Sequence, residues 1–152
     1  MAVGIRPANL SDLDALLEIE EYAFSPEKYP LTSRRQFRSI LNGITNAELY
    51  VATEKGVVCG YVLLYYRANS RWGRMYSIAV HPDFQGGRVG KLLFETAEKR
   101  IRERHLTGLS LEIRADNHRH RERYTGLGYQ LVEQLADYYP DGTAALKFRR
   151  EL

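Results

Sequence analysis

A single cysteine, Cys59, occurs among the 152 residues, so no internal disulfide framework is available and a reducing compartment suits the chain. No apolar run approaches the roughly 20 residues of a bilayer span. Met1-Ala2-Val3-Gly4 is too short, and too polar in its continuation, to read as a secretory signal. The expectation is a cytoplasmic protein with no membrane contact. Metal-ligand spacing is also missing. His118 and His120 have only Asp116 beside them, and His81 and His105 stand apart, so no metal is expected. Charge is not strongly one-sided. The net value of +3 is compatible with nucleic acid or with a small polyanion, and cannot choose between them. The densest cluster, His118-Arg119-His120-Arg121-Glu122-Arg123, lacks interleaved aromatics and any DNA-reading motif. It reads as a solvated helix face, and no nucleic-acid partner is expected. Repeats, low-complexity tracts and linkers are absent too.

What is present is an alternation of strands and helices with the length of one domain, 1–152. A chain of this size buries roughly 70% of its unfolded surface and needs no staple. Ile5-Arg6-Pro7 reads as an opening strand. Ser11 and Asp14 nearly match a capping box before Leu13, Leu16, Leu17 and Ile19, and Ser33 with Gln36 repeats the signal before Phe37, Ile40 and Leu41. Leu49–Ala52 and Val57–Tyr66 flank Glu54-Lys55-Gly56 as a hairpin. Met75–Val80 is short and apolar, as a central strand should be. A helical pattern follows from about Val89 to His105. Leu109–Arg114 alternates, with Leu109, Leu111 and Ile113 on one face and Ser110, Glu112 and Arg114 on the other. A helix from Asn117 to about Thr125 and two last strands, about Tyr129–Leu135 and Ala144–Arg149, complete a mixed α/β order.

Between the strand ending at Val80 and the long helix lies Phe84-Gln85-Gly86-Gly87-Arg88-Val89-Gly90-Lys91. A strand, a glycine-bearing turn and a helix start place unpaired amides and a positive dipole end where a phosphate can approach. A nucleotide P-loop is excluded, because Gly90-Lys91-Leu92 lacks the hydroxyl residue after lysine. A dinucleotide fingerprint is excluded by the spacing of Gly86, Gly87 and Gly90. A tight turn without a ligand is the structural alternative.

The run from Tyr76 to Leu93 around Gln85-Gly86-Gly87-Arg88-Val89-Gly90 resembles motif A of the GNAT N-acetyltransferases, whose core is Gln/Arg-x-x-Gly-x-Gly/Ala. Leu111-Glu112-Ile113-Arg114-Ala115-Asp116-Asn117, then Tyr124, then Leu127-Gly128-Tyr129, is similar to the corresponding segment of bacterial ribosomal-protein alanine N-acetyltransferases (RimI type). The same holds for Asp137-Tyr138-Tyr139-Pro140-Asp141-Gly142. The resemblance implies a single-domain GNAT fold, α/β (α+β), with a mixed, mostly antiparallel sheet of about 6–7 strands and about four helices. It implies acetyl-CoA as co-substrate. Backbone of Ile78, Ala79 and Val80 would hold the pantetheine arm, Gln85 through Lys91 the pyrophosphate, and Asn117 the pantetheine or thioester region. Glu112 takes the position of the general base, Tyr124 that of the general acid, and Tyr138 and Tyr139 line the acceptor path.

The implied reaction is direct acetyl transfer from a thioester to a primary amine, with a protein N-terminus such as that of a ribosomal protein as acceptor. A small amine or amino acid is the nearest alternative, and a degenerate domain that only binds coenzyme or a partner is the other. An α-amino group, with a pKa of about 7.7–8.0, is partly neutral near pH 7 and suits a lone glutamate base better than lysine does. The structural alternatives are a Glu112 paired to Arg114 or Arg121, and a Tyr124 packed under Leu127. A backbone amide near Val80 is the natural oxyanion donor, provided the neighbouring strand splays away. Arg88 replaces the first glycine of the pattern, which a helix start tolerates because helical φ is negative. Cys59 reads as buried and inert. A homodimer is left open.

Overall fold

The computed structural model describes residues 2–152. β1 (Val3–Pro7) leads through a 3-10 turn, Leu10–Asp12, into α1 (Leu13–Ala23). The cap of this turn is Asn9, not Ser11. Asn9 Oδ1 accepts the Ser11 amide at 3.0 Å, and the Asp12 carboxylate accepts the Asn9 amide at 2.9 Å. Asp12 is also gripped by Arg6, at 2.7 and 2.9 Å, which fastens the turn to β1. α2 (Arg34–Leu41) starts as expected, with Ser33 and Gln36 exchanging hydrogen bonds of 3.2 and 2.8 Å.

β2 (Ala47–Glu54) and β3 (Val57–Tyr66) form a hairpin whose two turn residues, Lys55 and Gly56, have φ of 53° and 76°. That pair of positive values matches the twist of the flanking strands. β4 (Trp72–Val80), α3 (Val89–Glu103), β5 (Gly108–Arg114), α4 (His118–Gly126), β6 (Gln130–Leu135) and β7 (Ala145–Glu151) complete the chain. The seven strands lie in the order β1-β2-β3-β4-β5-β7-β6. Every neighbouring pair is antiparallel except β4 and β5.

Side-chain alternation in β3 explains the layering. Tyr61 and Leu63 face α1 and α2 with Leu16, Ile19, Phe37 and Ile40. Val62 and Leu64 face α3 with Leu93, Ala97 and Ile101. A strand covered on both faces has no polar side to show, which is why Val57–Tyr66 reads as a near-continuous apolar run. Cys59 is fully buried within it. The alternation expected for β5 is present, but its polar face is not solvated, and Ser110 and Arg114 are both buried.

Two features of the sheet prepare the site. Gly108 lies so close to β7 that an added Cβ would stand 2.0 Å from the Arg150 carbonyl oxygen. Beside it, the parallel pairing of β4 with β5 runs only from Trp72↔Gly108 to Met75↔Leu111. Leu64 pairs with Met75 and Leu63 with Ser77, so Tyr76 is an extra residue that bends β4. Beyond it, Tyr76–Val80 and Glu112–Arg114 share no pairs, and the sheet opens. The splay that an oxyanion amide near Val80 would require is therefore present.

Candidate active site

The glycine loop sits at the far end of β4. His81 Nδ1 accepts the Asp83 amide at 3.2 Å, and Gln85 Nε2 donates to the Val80 carbonyl at 3.1 Å, folding the loop back on its own strand. Gly86 has φ +80°, where a side chain would strain the backbone. Arg88 stands at the helix start with φ −88° and makes no side-chain cap, so its guanidinium is not consumed by the turn. The first intrahelical bond runs from the Leu92 amide to the Arg88 carbonyl at 2.9 Å. The amides of Val89, Gly90 and Lys91 therefore precede the helical ladder, and the first turn of α3 holds no acidic residue. This cradle fits a diphosphate.

Where the sheet opens lies a cleft of about 150 Å³. β4 contributes Arg74–Ile78, β5 Leu111–Arg114, and α4 His120 and Tyr124, while Tyr138 and Tyr139 come from the β6–β7 loop. Of the residues expected at the site, Ile78, Glu112, Tyr124, Tyr138 and Tyr139 meet here. Ala79 and Val80 continue β4 toward the loop.

Glu112 is paired, but not to Arg114 or Arg121. Arg74 Nη2 lies 3.0 Å from its Oε1, and Arg74 Nε donates to Oε2 at 3.3 Å. Arg74 Nη2 also donates to the Tyr138 hydroxyl at 2.9 Å and the guanidinium lies over the Tyr76 ring, 5.2 Å from its centroid. The strand expected to begin at Met75 begins at Trp72 instead, which leaves Arg74 outside the expected element. A lone cation abutting an apolar strand was the available signal.

Tyr124 is 7% exposed and packs on Phe94, Tyr129 and His120. It borders the cleft, its hydroxyl has no hydrogen-bond partner among the described residues, and burial pushes its pKa up despite Arg123. It is held protonated. Burial pushes His120 down, with Arg123 and Arg119 adding to the effect. Asn117 is half-buried at the start of α4 and is not among the residues lining the cleft. Its Oδ1 caps α4 by accepting the His120 amide at 3.0 Å, and its Nδ2 lies 3.1 Å from His120 Nδ1.

The acceptor-side loops are pinned by Arg114, whose side chain is 3% exposed. It donates to the Lys28 carbonyl at 2.8 Å, to Asp141 at 2.7 Å, to Thr143 at 2.9 Å and to both Asp116 oxygens at 3.1 Å. Those bonds hold Asp141 well below the usual carboxylate range. They also bring Tyr29 and Tyr139 edge to face at 5.6 Å, with the guanidinium near both rings. On the opposite wall, Glu20 accepts the Thr32 amide at 2.6 Å and the Tyr61 hydroxyl. Burial nonetheless pushes Glu20 up. The Tyr61 hydroxyl stands 2.8 Å from Ser77 Oγ, on the cleft side of β4. Among the described residues no group of three or more His, Cys, Asp or Glu is placed to hold a metal, and no helix is long and apolar enough to cross a membrane.

Comparison with known proteins agrees with this geometry. A family model described as Acetyltransferase (GNAT) family matches residues 13–129. A Bacillus subtilis protein provisionally named a ribosomal-protein bS18 alanine N-acetyltransferase is 28% identical over 138 residues, covering 91% of this chain and 87% of that protein. The N-alpha-acetyltransferase of Sulfurisphaera tokodaii is 28% identical over 160 residues, covering 93% and 88%. The crystal structure of the ribosomal-protein-S18-alanine N-acetyltransferase from Escherichia coli superposes with a TM-score of 0.85 at 25% identity, covering 99% of this chain and 94% of that one.

Proposed function

This chain belongs to the GNAT acetyltransferase family and is an acetyl-CoA-dependent N-acyltransferase, and from that premise we propose that it acetylates the N-terminal α-amino group of a protein. The observation that carries the reading is the opening between β4 and β5, which joins the diphosphate cradle along one strand to a cleft holding Glu112 and Tyr124. Relatives named for alanine and N-alpha acetylation point to the acceptor class, a ribosomal protein among them.

Residues 1–152 then act as one domain. Gly86, Gly87 and the amides of Val89, Gly90 and Lys91 hold the pyrophosphate, with the side chains of Arg88 and Lys91 adding charge. Gln85 keeps the loop folded on Val80. The unpaired edge of Ile78, Ala79 and Val80 takes the pantetheine arm as an added strand. Asn117 meets the arm at the start of α4, and its bonds to His120 fix where that helix begins. Tyr138 and Tyr139 line the acceptor path.

Acetyl-CoA supplies an activated acyl group, and the residues do the rest. Glu112 accepts the amine proton, directly or through a water, as the nitrogen bonds to the acetyl carbon. A backbone amide in the unpaired stretch near Val80 polarises the carbonyl. Tyr124 donates a proton as the carbon–sulfur bond breaks. Burial raises the phenol above its ordinary value, which keeps it protonated and able to donate when the thiolate forms beside it.

The test is thermal stabilisation by acetyl-CoA followed by thiol release with N-terminal peptides, free amino acids and small amines. Release with peptides carrying a free α-amino group, and not with their blocked forms, is expected. Stabilisation without release from any amine would sink the reading. N-terminal mass spectrometry of cells with and without the gene then names the acceptor.

A further inference from the structure

Glu112 faces a difficulty peculiar to its surroundings. Both of its oxygens meet the Arg74 guanidinium, and its side chain is only 12% exposed. A proton accepted by Glu112 removes the anion that Arg74 pairs with and leaves the guanidinium on the cleft wall without a charged partner. The neighbouring anions cannot compensate. Asp116 and Asp141 are committed to Arg114, and Glu20 is turned toward Tyr61 and Thr32. Arg74 itself is incompletely used. Its Nε and Nη2 are engaged, whereas Nη1 has no partner among the described residues, and the side chain is 35% exposed at the cleft wall.

We propose that Arg74 is a specificity-determining residue that pairs through its free edge with a carboxylate carried by the acceptor a few atoms from its amine. This rests on the acetyl-transfer reading and narrows its substrate class. The carboxylate is an acidic side chain next to a peptide N-terminus, or the α-carboxylate of a free amino acid. The acceptor nitrogen bonds to the acetyl carbon, the carbon–sulfur bond breaks, Glu112 takes the amine proton, and the Tyr124 proton goes to the thiolate. Arg74 keeps an anionic partner throughout, because the acceptor brings one as Glu112 becomes neutral. A neutral acceptor leaves the cation bare at that moment, and a basic one adds repulsion.

Matched peptides that differ only in having Glu, Gln or Lys at their second residue, together with free glutamate, test this by thiol release. For the unmodified protein, kcat/KM for the Glu peptide should exceed that for the Gln peptide by roughly tenfold, the lower range for a hydrogen bond to a charged group. The Lys peptide should be poorest. Arg74→Gln should bring Glu and Gln peptides within about threefold of each other, and Arg74→Glu should reverse the order in favour of Lys. Free glutamine, which carries only the α-carboxylate, separates the sources beside free glutamate: a rate with it above that of the acidic peptide assigns the α-carboxylate, and the opposite order assigns the side chain. Equal rates for Glu and Gln peptides in the unmodified protein, or a preference that survives Arg74→Gln, overturns the proposal. Circular dichroism reports whether the variants fold. If they do not, peptide affinity of the unmodified protein with CoA present decides: a tighter Kd for the Glu peptide supports the proposal and equal values overturn it. The same affinities separate the two ideas if no amine releases thiol, since that outcome sinks the acetyl-transfer reading while the charge preference is still read.

Discussion

The hydroxyl of Tyr61, buried in the central strand β3, donates to the carboxylate of Glu20 on α1. Glu20 is 4% exposed, yet no cation among the described residues answers it. It keeps two neutral donors instead, Tyr61 and the Thr32 amide. Burial outweighs those donors and raises its pKa above the ordinary 4.5.

A raised carboxyl pKa in the folded state contributes stability that is complete below the unfolded value and lost as pH climbs through the folded one. Glu20→Gln removes this dependence. Its melting temperature relative to the unmodified protein should therefore rise between pH 5 and pH 8, by about 2–4 °C for each kcal/mol in a protein of this size. Calorimetry at the two values measures it, and a pH-independent difference would show that Glu20 is ionised throughout.

Among the described residues the Tyr124 hydroxyl has no hydrogen bond to lose. Tyr124→Phe should leave coenzyme affinity and melting temperature nearly unchanged and lower thiol release by about 10²-fold or more, the usual weight of a positioned proton donor. Unaltered turnover would remove Tyr124 from the mechanism.

Arg88 leaves its guanidinium free at the start of α3. Arg88→Ala should weaken acetyl-CoA binding by roughly tenfold, as expected for a hydrogen bond to a charged group, and should flatten its salt dependence. Titration calorimetry at two salt concentrations reads both. Arg88→Gly, which restores the glycine of the pattern, separates charge from backbone freedom.

Gly108 meets backbone where Gly73 meets the tip of Ile101, 2.1 Å from an added Cβ. A side chain can swing aside and a carbonyl in a sheet cannot. Gly108→Ala should cost at least the 1–3 kcal/mol typical of overpacking and more than Gly73→Ala, by urea denaturation. The reverse order would mean that β7 shifts easily.

Much of this was legible in the chain because its signals are local. The Ser33–Gln36 box, the turn at Lys55-Gly56 and the loop from Phe84 to Lys91 are each written within a few residues. The family's pattern then places Glu112 and Tyr124, which the structure brings to one cleft. The misses are long-range. Arg74 finds Glu112 across 38 residues, and Tyr61 finds Glu20 across 41. Glu20 left a trace all the same, since it falls on the stripe of Leu13 and Leu16 where an apolar residue is expected. At Asn9 the difficulty was of another kind. The box forms at Asn9 and Asp12, two residues before the Ser11–Asp14 pair, and Arg6, outside it, holds Asp12 in place.

Among the described residues, the four parallel pairs from Trp72↔Gly108 to Met75↔Leu111 are the only ladder joining β1–β4 to β5–β7. In the first group β2, β3 and β4 follow one another through short connections, suited to early, local assembly, whereas β7 must slip between β5 and β6 and closes late. The two groups share one core against α3, yet their backbones meet only in those four pairs, and in the proposed function acetyl-CoA takes the opening just beyond them. A molecule lodged there belongs to both. Amide exchange should slow on β4 and β5 together when acetyl-CoA binds, the result expected if the donor lengthens the seam as an added strand.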